Sequence, residues 1–115
     1  TIEKMKGDLG DGLITTDLWN VNDAQSIAGY NPQPKAVALF NQLTEKLTDS
    51  LKRSEFPELG RYYILDLVDG KLAIVIPLDE YQWGMLVDGN KVKLGLLLNI
   101  IIPDMIDSFE EAITG

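Results

Sequence analysis

Hydrophobic positions along this chain follow two periods, one typical of β-strands and one typical of α-helices. The strand-like pattern is densest between residues 61 and 87, where it predicts three successive antiparallel strands. Asp69-Gly70 separates the first two and suits a type I′ hairpin turn, which needs a positive φ at both central residues. A second Asp-Gly pair follows the third strand. The three predicted strands are residues 62–68, 71–77 and 81–87.

The residues before this meander predict a β-hairpin and one long helix. Residues 12–19 are rich in β-branched and aromatic side chains, and after a polar turn residues 24–30 return as a second strand. Pro34 suits the first position of a helix that continues to about residue 53. We expect one apolar stripe of this helix to pack on the sheet. The stripe consists of Ala36, Leu39, Phe40, Leu43, Leu47 and Leu51.

Both ends of the chain are predicted to be helical. Residues 1–6 fit a short helix that Gly7 or Gly10 closes. Residues 91–102 fit either a sixth strand or a buried helix, and we favour a helix over most of 92–113 that is interrupted at Pro103.

The meander is apolar on both of its faces. Along residues 71–77, Leu72, Ile74 and Ile76 point one way, while Ala73 and Val75 point the other way. A sheet with two apolar faces must be covered on both. The sequence therefore predicts an α+β fold, a single five-stranded antiparallel sheet with helices on both faces, in one domain spanning residues 1–115.

The amino-acid composition argues against several classes of function. The 115 residues contain no cysteine and no histidine, so the usual general base, the usual zinc ligands and any Ser-His or Cys-His arrangement are missing. The net charge of −8 opposes binding to nucleic acid or to an anionic membrane. The longest apolar run is too short to span a bilayer, and the first residues lack the apolar region of a secretory signal. We expect a cytoplasmic protein without nucleic-acid or membrane partners.

The acidic residues do not form a recognisable site in the sequence. Asp8, Asp11 and Asp17 lie near glycines but fail the register of an EF-hand loop, so turn residues are the better explanation. Asp79-Glu80 reads as a solvated connector between strands rather than as paired carboxylates for glycoside hydrolysis. We predict no catalytic residue, no cofactor-binding residue and no metal ligand, and therefore no enzyme.

The order of elements resembles the roadblock/dynein light chain family over almost the whole chain. Gly12-Leu13-Ile14-Thr15-Thr16 opens the first strand, and Lys93-Leu94-Gly95-Leu96-Leu97 starts the final segment. Members of that family are non-catalytic and dimeric, and bacterial and archaeal members typically act as partners or regulators of small Ras-like GTPases. The resemblance implies a non-catalytic dimeric scaffold or regulatory module that binds such a GTPase. The profilin-like and longin-like group is the alternative, and implies a sensory or small-ligand-binding domain, with the ligand held between the sheet and the last helix.

The resemblance also implies where two copies would meet. The long helix and the first meander strand would form the contact, and that strand would pair with its symmetry mate. An apolar edge strand without a partner is a liability, which independently favours pairing. The implied homodimer contacts are Val37, Asn41, Thr44, Thr48, Tyr62, Tyr63 and Ile64.

Trp19 is the predicted contact for a different protein partner. It precedes a polar turn at the end of a hairpin, where an exposed tryptophan would be a hot spot for binding. The alternative is that Trp19 closes a corner of the core.

Overall fold

The computed structural model describes the backbone of residues 2–114 and the side chains of residues 2–112. One antiparallel sheet of five strands runs through the domain in the spatial order β2-β1-β5-β4-β3. The predicted single five-stranded antiparallel sheet is therefore confirmed. The strands are β1 (Leu13–Asn20), β2 (Gln25–Tyr30), β3 (Tyr63–Asp66), β4 (Lys71–Leu78) and β5 (Tyr81–Asp88).

Helices lie before, between and after these strands. The short N-terminal helix continues three residues beyond the predicted end and passes into a 3₁₀ turn, where Gly10 takes a positive φ of 55°. The long helix begins at Pro34 as predicted. The last segment is helical, which settles the choice between strand and helix. The helices are α1 (Ile2–Leu9), α2 (Pro34–Arg53), α3 (Leu94–Leu96) and α4 (Ile102–Thr114).

The Asp69-Gly70 turn has the predicted conformation. Asp69 lies at φ 62° and ψ 28°, Gly70 has φ 73°, and the N–H of Lys71 donates to the carbonyl of Val68. These are the features of a type I′ turn. Strand β3 before it is shorter than the predicted 62–68. The second Asp-Gly pair differs, since neither residue has a positive φ and the chain continues into α3.

The last helix is not interrupted at Pro103, so that prediction is wrong. A π-helical turn at Leu97–Ile101 joins α3 directly to α4. Proline has no N–H for the carbonyl four residues earlier, and its ring would clash with that carbonyl in a regular helix. The wider turn just before Pro103 accommodates this without breaking the helix. We call residues 94–114 the C-terminal helix.

The two faces of the sheet are covered unequally. One face packs under α1 and the C-terminal helix and holds the main core. Among the described residues the opposite face meets only α2, through a small cluster of Trp19, Val37 and Val75 with Phe40 and Tyr63 at its margin. The main core consists of Met5, Leu9, Leu13, Leu18, Ile74, Ile76, Trp83, Met85, Val87, Leu97, Ile101, Ile102, Met105, Ile106 and Phe109.

The leucines of the stripe that was expected on the sheet are turned away from it, whereas Phe40 packs at the margin of the small cluster. Only Val37 and Thr44 of this 20-residue helix are buried, with 3% and 5% of their surface exposed. Leu39 is 58% exposed, and Leu43 and Leu47 are half-buried. At 100° per residue, the leucines lie about a quarter turn around the helix from the line that contacts the sheet. The prediction that this stripe packs fully on the sheet is therefore wrong.

Candidate interaction surface on α2 and β3

Strand β3 is one end of the sheet, as the sequence predicted. The N–H of Leu67 donates to the carbonyl of Lys71 at 2.9 Å. Residue pairs of an antiparallel ladder alternate between hydrogen-bonded and non-hydrogen-bonded, so Ile64 and Asp66 direct their backbone groups away from β4. Within residues 2–114 no strand pairs with this outer edge. Asp66 is exposed.

A line of polar side chains on α2 faces the sheet. The indole N–H of Trp19 donates to Asn41 Oδ1 at 3.1 Å, and Asn41 Nδ2 donates to the carbonyl of Val21 at 3.0 Å. The hydroxyls of Thr44 and Tyr63 share a hydrogen bond of 2.7 Å. Burial raises the pKa of Tyr63, and the bond to Thr44 partly opposes that rise. These bonds fix α2 over β1 and β3 within one protomer.

Trp19 closes a corner of the core and is not a surface residue. Only 1% of its surface is exposed. Its ring lies so close to Gly84 that a Cβ at that position would be 2.9 Å from the indole. The prediction of Trp19 as a partner contact required an exposed indole and is corrected by its position beneath α2.

The predicted dimer residues fall into two groups. Val37 and Thr44 are buried where α2 packs on its own sheet, and the half-buried Asn41 is hydrogen-bonded to Trp19. Their part in a dimer stays a prediction. Thr48 is exposed, and its hydroxyl donates to the carbonyl of Thr44. The residues on the β3 side remain candidates because they lie half-buried beside the open edge. These are Tyr62, Tyr63 and Ile64.

The leucines of α2 and the open edge belong to one apolar surface. We define the leucine flank of α2 as Ala36, Leu39, Phe40, Leu43 and Leu47. A groove of about 450 Å³ lies between its first half and the sheet. The sheet side of the groove includes Leu67, Ala73 and Leu86. Leu67 and Val68 extend the apolar surface beyond β3, with exposures of 40% and 83%.

The sequence shows this flank plainly but does not show its direction. Four of its members, Ala36, Phe40, Leu43 and Leu47, follow one another at intervals of four, three and four residues, as in a helix–helix seam. The sequence alone offers only the sheet as a neighbour for this seam, which is why it predicts that the seam packs there. The sequence also contains a parallel line at the same spacing, which was the signal that α2 has two contact lines. This line consists of Val37, Asn41, Thr44 and Thr48.

The described residues hold no obvious metal centre or membrane span. Among residues 2–114, no three acidic side chains converge in a way that could hold a metal ion. No helix in the same range combines the length and the hydrophobicity that crossing a bilayer requires.

Comparison with solved structures identifies the fold class. The chain superposes on a roadblock/LC7 domain from Streptomyces avermitilis with a TM-score of 0.67 and 15% identity, covering 100% of this chain and 98% of that one. MglB from Myxococcus xanthus matches with a TM-score of 0.71 and 12% identity, covering 94% and 84%. Profilin IA from Acanthamoeba castellanii is a weaker match, with a TM-score of 0.54, 10% identity, and coverage of 93% and 97%.

These likenesses establish a roadblock-like fold with profilin as a more distant relative in shape. The predicted resemblance is thus confirmed at the level of the fold. No family model and no curated protein matches the sequence.

Proposed function

We propose that this chain is a non-catalytic, cytoplasmic regulatory module that forms a homodimer and binds a small Ras-like GTPase. The observation that carries the proposal is the unequal burial of α2. A 20-residue helix buries only two side chains within the protomer, while its leucine flank lies beside an unpaired sheet edge. Exposed apolar patches of this kind commonly mark protein–protein contacts.

A two-fold arrangement accounts for both open features together. Antiparallel pairing of β3 with its copy would give hydrogen-bond partners to the outward backbone groups of Ile64 and Asp66. The same rotation axis would bring the two leucine flanks toward each other. A stable interface of this type buries about 1,200–2,000 Å² in total.

The GTPase part of the proposal rests on the family resemblance and on the roadblock-like fold. The non-catalytic part is supported by the composition, because a chain without histidine and cysteine lacks the commonest general base and the thiol nucleophile. A regulatory surface needs only shape and charge complementarity.

Size exclusion with light scattering tests the dimer, and Asp66 supplies a sharp variant. Asp66→Pro removes an outward N–H without removing a hydrogen bond to β4, and proline is tolerated at such edge positions. The matched control is Asp66→Ala, which removes the charge but keeps the N–H. We expect the control to remain dimeric and Asp66→Pro to be monomeric and folded. A strictly monomeric parent protein would contradict the proposal.

A capture experiment tests the GTPase. The immobilised protein is incubated with each purified Ras-like GTPase of the source organism, loaded either with GDP or with a non-hydrolysable GTP analogue. We expect one of them to bind with a preference for one nucleotide state. Failure of every GTPase to bind in either state would refute this part and leave the dimer untouched.

The groove under α2 favours a second candidate function, a small-ligand-binding domain. Its volume of about 450 Å³ lies within the range of ordinary ligand sites, and its lining is mainly apolar. The groove lies under α2, whereas the sequence-based alternative placed a ligand under the last helix. Native mass spectrometry of the purified protein tests this function, since a retained apolar compound would support it and a ligand-free mass would oppose it.

A further inference from the structure

A second groove lies on the opposite side of the sheet from the leucine flank. It has a volume of about 590 Å³ and is formed between α1 and the C-terminal helix. Leu96, Ile100 and Pro103 supply apolar surface along it. Leu96 is 42% exposed and Ile100 is 59% exposed, although the neighbouring Leu97 and Ile101 enter the core.

The border of this groove is acidic. Asp8, Asp104 and Asp107 line it together with a single basic residue, Lys4. Lys4 already forms an ion pair with Asp104, which leaves Asp8 and Asp107 as exposed acids beside the apolar surface. The charge extends along the helix, because residues 94–114 contain four acidic residues and no lysine or arginine.

We propose that this groove binds an amphipathic helix of a partner protein that carries lysine or arginine beside its apolar stripe. Apolar side chains of that helix would cover Leu96 and Ile100, and its basic residues would face Asp8 and Asp107. A groove between two helices can bind the apolar face of a third helix. Charge complementarity across the contact selects the partner and raises its rate of association.

The charge pattern also disfavours the other occupants of an apolar groove. A second copy of this chain would bring the same four acids of its C-terminal helix against those of the first. An anionic membrane and a nucleic acid carry the same sign of charge and would be repelled. The site lies on the sheet face opposite α2, so it requires neither the dimer nor the GTPase proposed above.

A synthetic helix provides the probe. The peptide has about 15 residues, with leucines along one face and lysines along the other, and its control carries glutamate in place of every lysine. Binding is measured by fluorescence anisotropy and mapped by amide chemical shifts of the labelled protein. We expect the lysine peptide to bind at least about tenfold more tightly than the glutamate peptide. We expect the shift changes to concentrate at α1 and residues 94–107.

Matched variants separate this groove from general attraction to an acidic protein. Ile100→Ser removes an apolar contact, and its control is Ile27→Ser on β2, where the isoleucine is 56% exposed compared with 59% for Ile100. Asp107→Asn removes a charge, and its control is Asp49→Asn on the solvent side of α2. We expect each groove variant to weaken binding about threefold to tenfold and each control to leave it unchanged.

Several results would overturn the inference. These are equal binding of the two peptides, shift changes spread over the acidic surface or centred on the leucine flank, and equal effects of a groove variant and its control. Absence of binding by the lysine peptide would also overturn it. Self-association is tested separately, because light scattering measures the oligomeric state and not the binding of the peptide.

Discussion

Leu39→Ala tests the leucine flank most directly, because its effect can be estimated from the structure. Leu39 is 58% exposed in the protomer, and full burial of a leucine contributes about 1.5–3 kcal/mol. Burying the remaining surface would therefore contribute about 1–1.7 kcal/mol in each protomer, and the two-fold axis doubles that value. Since alanine retains its Cβ, we expect a loss of about 1.5–3 kcal/mol, which weakens the dimer about 10- to 150-fold.

The dimer dissociation constant of each variant is measured by sedimentation over a range of protein concentrations. Leu94→Ala is the matched control, since Leu94 is a 46% exposed leucine at the start of the C-terminal helix, across the sheet from α2. We expect the control to dimerise like the parent protein. The reasoning fails if the two variants have the same dissociation constant, or if Leu39→Ala unfolds the isolated protomer rather than separating two folded ones.

Three further substitutions test the packing beneath α2. Gly84→Ala places a Cβ 2.9 Å from the ring of Trp19, and we expect a loss of about 1–3 kcal/mol in urea unfolding, whereas no change would show that the ring can shift. Asn41→Ala leaves the buried indole N–H without its acceptor, and we expect a loss of about 1–3 kcal/mol by the same measurement. Tyr63→Phe should remove one phenol from an absorbance titration of the tyrosines, at a pH above 10.0, because burial raises the pKa of Tyr63 above its usual 10.0. The folded state favours the neutral phenol of Tyr63, so the phenol contributes fully to the free energy of unfolding below pH 10.0. This contribution is lost as the pH rises through the folded-state pKa of Tyr63. In Tyr63→Phe, that pH-dependent loss of stability should be absent.

Features that depend on neighbouring residues could be predicted from the sequence. The Asp69-Gly70 turn follows from the positive φ angles that aspartate and glycine tolerate, and the start of α2 follows from Pro34. The two-sided hydrophobicity of β4 was sufficient to predict helices on both faces of the sheet. The conformation at Pro103 was not predictable in this way, because a kink and a π-helical turn relieve the same clash.

The direction of the leucine flank shows what hydrophobic periodicity leaves open. The period identifies a line of apolar side chains on α2, but it does not identify what covers that line. The polar residues of the neighbouring line form hydrogen bonds inside the protomer, Asn41 with Trp19 and Thr44 with Tyr63. The polar line therefore faces the sheet. The leucines then have no comparable cover among the described residues. A helix with two contact lines packs against two neighbours. The sheet supplies one of them, and in the proposed dimer a second chain would supply the other.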